Sequence, residues 1–214
     1  MRYLATFLSV TLLAAVIGCG CEPAKQAAPP TTPSTVANAP ETKPETKPEA
    51  AATTTEAKPA GVTVEIKSWD ETLELVAKHK GKVVVLDLWS TSCQPCLDEF
   101  PNLVKLHKQF GSDKLVCMSA SCDFAGIKGM PPESYKEQVL EFLTKQEAHF
   151  PNVLLNVESD ALFEKLDLAS NPAVYVFGKD GQIAKRFDND NAKKGEDFTY
   201  EKDIVPFVEK LMKE

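Results

Sequence analysis

The chain has 214 residues, with 24 Lys and Arg against 31 Asp and Glu, a formal net charge of -7 and six cysteines. The acidic excess sits almost entirely after residue 61, which argues against nucleic acid as a partner and against a polybasic membrane patch. The three histidines, His79, His107 and His149, stand in unrelated segments rather than at ligand spacing, so no metal is expected.

Arg2 precedes an apolar run from Leu4 to Ile17, shorter than the roughly 20 residues a spanning helix needs, and the run reads as the core of a signal peptide. Val16-Ile17-Gly18-Cys19 resembles a bacterial lipobox. That resemblance implies that residues 1–18 are removed and that Cys19 is lipidated as the new N-terminus. The expected location is the cell envelope, on the periplasmic side of a bacterial membrane, where disulfides form and persist.

Residues 19–61 are dominated by Pro, Ala, Thr, Lys and Glu, and Glu41-Thr42-Lys43-Pro44 is followed at once by Glu45-Thr46-Lys47-Pro48. Such a segment has too little apolar surface to offset its ordering entropy. It is expected to be a disordered linker, serving as a tether, a spacer or a glycan-bearing stalk.

Residues 62–214 suffice for one α/β domain. Val62 to Ile66 alternates like a half-buried strand. Ser68-Trp69-Asp70-Glu71 matches a capping box and opens a helix, with Trp69, Leu73 and Val76 on its apolar stripe, that stops near Gly81. The valine-rich run from Val83 to Trp89 predicts a strand buried on both faces. A helix from about Cys93 to Phe110 follows, turning Leu97, Phe100, Leu103 and Leu106 inward and bent at Pro101. Lys114 to Ala120 is expected to lie parallel to the buried strand. Beyond a loop from Phe124 to Pro132, the pattern predicts a helix over 133–147, a strand near 152–156 and a helix from Ser159 to Leu166. A strand from Val174 to Phe177 then turns through Lys179-Asp180-Gly181 into a strand from Gln182 to Phe187, and an amphipathic helix from about Tyr200 closes the chain.

The chemistry concentrates at Cys93-Gln94-Pro95-Cys96, where a buried strand delivers two thiols to a helix start. Unpaired amides and the positive end of the helix dipole favour the thiolate, so Cys93 is the expected nucleophile. Cys96, one turn inward, is placed to resolve a mixed disulfide formed at Cys93. A zinc half-site would need a second Cys or His pair at ligand spacing, and none is present. Asp87 is the only charged residue in its run, and desolvation should raise its pKa. Cys117 reads as a small buried hydrophobe, and Cys122, at a strand end beside a loop, as an accessory thiol.

Asp87 six residues before Cys93, Trp89, Pro95 and Pro101 together resemble the thioredoxin superfamily, and within it the membrane-anchored TlpA and ResA type of thiol-disulfide oxidoreductase. Ser92 before the first cysteine and Gln94-Pro95 between the pair depart from thioredoxin itself. The resemblance implies a thioredoxin-like fold, a central mixed sheet flanked by helices with a TlpA-type helix–strand insertion. It implies a proton-shuttling role for Asp87, and a cis Pro172 that, with Asn171, Trp89, Gln94 and Pro95, meets the substrate. The implied activity needs no cofactor and reduces disulfides in exported proteins such as apocytochrome c, recharged by a membrane electron donor of the DsbD or CcdA type. Two other readings of the cysteines are a peroxiredoxin-like thiol peroxidase and a Cu(I)-binding chaperone module.

Overall fold

The computed structural model describes residues 61–111, 113–193 and 195–214. The expected signal peptide, Cys19 and most of the linker lie outside the described residues.

Strand β2 (Val83–Trp89) is buried at all seven positions, as its unbroken apolar run requires. It pairs in parallel with β3 (Leu115–Ser121) on one side and antiparallel with β5 (Ala173–Phe177) on the other. Strand β4 (Asn152–Leu155) extends the parallel part, β1 (Glu65–Lys67) closes that edge, and β6 (Ile183–Asp188) closes the other. The six-stranded order is β1-β4-β3-β2-β5-β6, a mixed sheet of the expected thioredoxin-like kind. β1 is shorter and later than the sequence pattern predicts, because only Glu65 to Lys67 find partners on β4 while Val64 is buried outside the ladder.

Successive side chains of a strand point to opposite faces, so each face has its own core. On one face Val84, Leu86 and Leu88 of β2 meet Trp69 and Val76 of α1 (Trp69–Ala77) and Leu162 of α4 (Ser159–Leu166). On the other, Val83, Val85 and Trp89 pack with α2 (Gln94–Phe110), α3 (Lys136–Lys145) and α5 (Val205–Lys213). Phe100, Leu103 and Leu106 of α2 are buried there, Leu97 is half-buried, and the helix continues through Pro101 without interruption.

The Ser68 capping box forms as expected, but α1 stops at Ala77, and a turn carries the chain to Gly81 at φ 94°. The expected helix over 133–147 divides into a 3₁₀ turn, Pro132–Tyr135, and α3, which ends before Glu147 takes a left-handed φ of 56°. With β4, α3 supplies the expected inserted helix and strand. Buried Asn152 locks that insertion in place: it accepts from Ser119 Oγ at 2.8 Å and donates to the Ala148 and Phe150 carbonyls at 2.9 and 2.8 Å. The hairpin at Lys179-Asp180-Gly181 also forms, closed by the Gly178 N–H on the Gln182 carbonyl at 2.9 Å. No helix among the described residues is long and apolar enough to cross a membrane.

Candidate redox site

Strand β2 ends at Trp89, and a four-residue turn places Cys93 at the N-cap of α2. Cys93 and Cys96 are joined in a disulfide, and the Cys96 N–H points to Cys93 Sγ at 3.3 Å. Cys93 is half-exposed, whereas Cys96 is buried. The two sulfurs therefore stand as the helix start demands, the first facing solvent and the second facing the core.

The Asn171–Pro172 peptide bond is cis, and the loop that carries it brings the Asn171 carbonyl oxygen to 3.7 Å from Cys93 Sγ. Asn171, Pro172, Cys93 and Cys96 thus meet at one place, with Gln94 and Pro95 exposed on the rim. Trp89 does not join them. It is sealed beneath the site, its ring centroid 4.9 Å from that of Phe100 and 4.7 Å from that of Phe142. The expectation that Trp89 meets substrate is corrected: strand alternation turns it under α2, and the inserted helix α3 closes over it with Phe142.

Asp87 shares that inner face of β2 and is buried, with the Tyr200 hydroxyl donating to its Oδ2 at 2.6 Å. Burial pushes its pKa up from 3.8 to about 7, the Tyr200 hydrogen bond pulls it down, and the charge of Glu99 adds to the rise. A carboxyl poised near neutrality can take up and release a proton during thiol chemistry. Tyr200 and Glu99 were not singled out in the sequence. Glu99 lies three residues beyond Cys96 at i+3, a spacing that places the two on neighbouring parts of the helix surface.

A second polar group holds the turn before Cys93. The Thr91 N–H donates to Asp123 Oδ1 at 3.0 Å, the Thr91 hydroxyl bonds the same carboxylate, and the Ser121 hydroxyl donates to Oδ2 at 2.5 Å. Gln138 of α3 bonds Thr91 as well, so the insertion is tied to the redox turn. Cys122, expected as an accessory thiol, is instead buried in the core on the opposite face, and burial pushes its pKa up, as it does for Cys117. Its position at a strand end suggested exposure, but the Cys122 N–H continues the ladder to the Trp89 carbonyl at 2.7 Å and keeps the side chain inside. His107 and His149, unrelated in sequence, come near one another, and burial together with His149 lowers the His107 pKa.

A central mixed sheet, a Cys-x-x-Cys disulfide capping a helix and a facing cis proline define the thioredoxin-like class. The AhpC/TSA family matches residues 53–186, and the chain belongs to that family. It is 29% identical over 104 residues to the thioredoxin-like protein YneN of Bacillus subtilis, covering 49% of this chain and 55% of that protein. It is 26% identical over 106 residues to the thiol-disulfide oxidoreductase ResA of the same organism, covering 50% of this chain and 52% of that protein. The chain thus spans about half the length of these curated relatives. Among solved structures it resembles a thiol-disulfide isomerase from Corynebacterium glutamicum, with TM-score 0.49, 16% identity, and 64% of this chain and 85% of that one covered.

Proposed function

We propose that the protein is a thiol-disulfide oxidoreductase that reduces disulfides in exported proteins. The observation that carries this reading is the asymmetry of the pair: Cys93 half-exposed at the N-cap of α2, Cys96 buried one turn on. In the reduced protein the Cys93 thiolate attacks a partner's disulfide, one partner sulfur leaves with the bonding electron pair, and a mixed disulfide forms. Cys96, giving its proton toward Asp87, then attacks Cys93 Sγ. The Cys93–partner bond breaks, the second partner sulfur leaves as thiolate, and the Cys93–Cys96 disulfide is restored. Two electrons pass to the partner, and the protein ends oxidised.

In this proposal lipid on Cys19 and the linker hold the domain at the periplasmic face of a bacterial membrane. A donor of the DsbD or CcdA type returns the electrons, and apocytochrome c is a candidate substrate. The similarity to ResA supports the oxidoreductase reading, and the residues before Cys19 support export. The test is reduction of insulin disulfides by the reduced protein, with its potential measured against glutathione. Turnover at a potential well below the about -120 mV of strong oxidants is expected. A value near or above that figure overturns the reductase direction, and consumption of hydrogen peroxide without insulin reduction points to a peroxidase. For the anchor, Cys19→Ser should move the protein from the membrane fraction to the soluble one.

A further inference from the structure

Three constraints converge on Tyr200. Its ring is buried in the core on the α2 side of the sheet, its hydroxyl donates to Asp87 Oδ2 at 2.6 Å, and its backbone N–H donates to Glu99 Oε2 at 3.0 Å. One residue therefore bridges the acid on β2 and the acid on α2, across 113 positions of chain in the first case.

The local backbone explains how it reaches. Tyr200–Ile204 forms a single π turn before α5, with the Val205 N–H closing back on the Tyr200 carbonyl. Pro206, in the first turn of α5, has no N–H to continue the α ladder, and the wider turn accommodates the gap. Thr199 fixes the entry: its side chain accepts from the Lys202 N–H at 3.2 Å, and its own N–H donates to Asp203 at 2.9 Å. A turn of this kind inside a helix is uncommon and recurs at functional sites.

We propose that Tyr200 is a positioning residue for Asp87, holding its carboxyl through the hydroxyl hydrogen bond and thereby setting the pH at which Asp87 can accept the proton of Cys96. This deepens the oxidoreductase reading and rests on it. The titratable groups facing Asp87 are Glu99 from α2, Cys117 on β3 and Tyr200 itself, while Cys122 feels its charge from the opposite face of the sheet; the β5 residue paired with Asp87 is Val174, which does not titrate. Burial and Glu99 both disfavour the carboxylate, and the two cysteines, with raised pKa values, stay neutral. Only the Tyr200 hydroxyl favours the ionised form, because it donates to it. The hydroxyl keeps its own proton, since burial and the neighbouring acid raise its pKa well above the usual tyrosine value.

The experiment compares wild type and Tyr200→Phe as full chains. The first readout is the titration of the Asp87 carboxyl carbon by NMR in the disulfide form, which needs no activity. Loss of one hydrogen bond to a charged acceptor should move its midpoint upward by about one pH unit or more. The second is the pH profile of insulin reduction, which should show a several-fold loss at pH 7 that recovers as the pH rises past the new midpoint. In an Asp87→Asn background Tyr200→Phe should leave the profile where it was. An unchanged carboxyl midpoint, or an equal rate loss at every pH, overturns the proposal. Wild-type protein that reduces no insulin at any pH sinks the oxidoreductase reading while the carboxyl titration still decides the Tyr200–Asp87 coupling. If Tyr200→Phe does not fold, the wild-type Tyr200 hydroxyl proton decides. A slowly exchanging resonance that shifts through the Asp87 midpoint supports the bond, and one indifferent to that midpoint overturns it.

Discussion

The carbonyl oxygen of Asn171 rests 3.7 Å from Cys93 Sγ, bringing together residues 78 positions apart. The Asn171 backbone thus flanks the half-exposed Cys93, and Cys96 is buried behind it. Cys96→Ser should accumulate partner proteins as dithiothreitol-sensitive adducts on Cys93, because attack survives and resolution cannot occur. Cys93→Ser should accumulate none. Mass mapping of the adducts checks both, and equal trapping by the two variants would contradict the assigned roles.

Asp87 should make the protein's stability depend on pH in a particular direction. Its folded-state pKa, raised from 3.8 to about 7, means the native state binds the extra proton between these values. Stability is then full below about pH 4, falls as pH rises from there to about 7, and is level above it, a loss of up to about 4 kcal/mol. Asp87→Asn should abolish that decline, so urea midpoints of variant and wild type diverge progressively between about pH 4 and 7 and keep that gap above neutrality, in the variant's favour. Parallel curves from pH 4 to 8 would mean that Asp87 titrates normally.

Asp123 anchors the turn that carries Cys93 by accepting from Thr91 and Ser121. Asp123→Ala leaves those donors unpaired and should lower unfolding free energy by about 2–3 kcal/mol. Because Gln138 of α3 also bonds this cluster, insulin reduction should slow as the turn loosens. Denaturant unfolding and the rate, measured on the same sample, check the pair of effects.

Cys117 and Cys122 are buried with raised thiol pKa values, so neither offers thiolate at neutral pH. In the folded protein with Cys93 and Cys96 oxidised, maleimide labelling of Cys117 and Cys122, mapped by mass spectrometry, should be negligible, and both should label after unfolding. Rapid labelling of native Cys122 would restore it as an accessory thiol.

Much of the site was readable because it is local. The valine run, the four residues to Cys93, and the helix behind it are neighbours in sequence, and Ser68 caps its helix within three residues. Asp87 could be foreseen as buried, since an acid amid six apolar strand residues has few alternatives. The failures share one cause. The resemblance puts Trp89 against substrate and the strand end makes Cys122 an accessory thiol, but which way a strand-end side chain turns depends on what covers it, here Phe142 from an insertion and a whole second core. Tyr200 looked like the start of an amphipathic helix, and nothing near it in sequence announces a partner 113 residues away. Contacts at that distance leave no periodic signal.

Strand β2 is laddered along both edges, to β3 and to β5, and covered on both faces. Its amides can exchange with solvent only when the sheet itself opens, so they should be among the slowest in the molecule. The floor of the redox site is in that sense clamped. The loop after β3 is held differently, with Ile127 and Met130 55% and 40% exposed, outside both cores. The amides of that loop should therefore exchange on a far shorter timescale than those of the strand beneath Cys93.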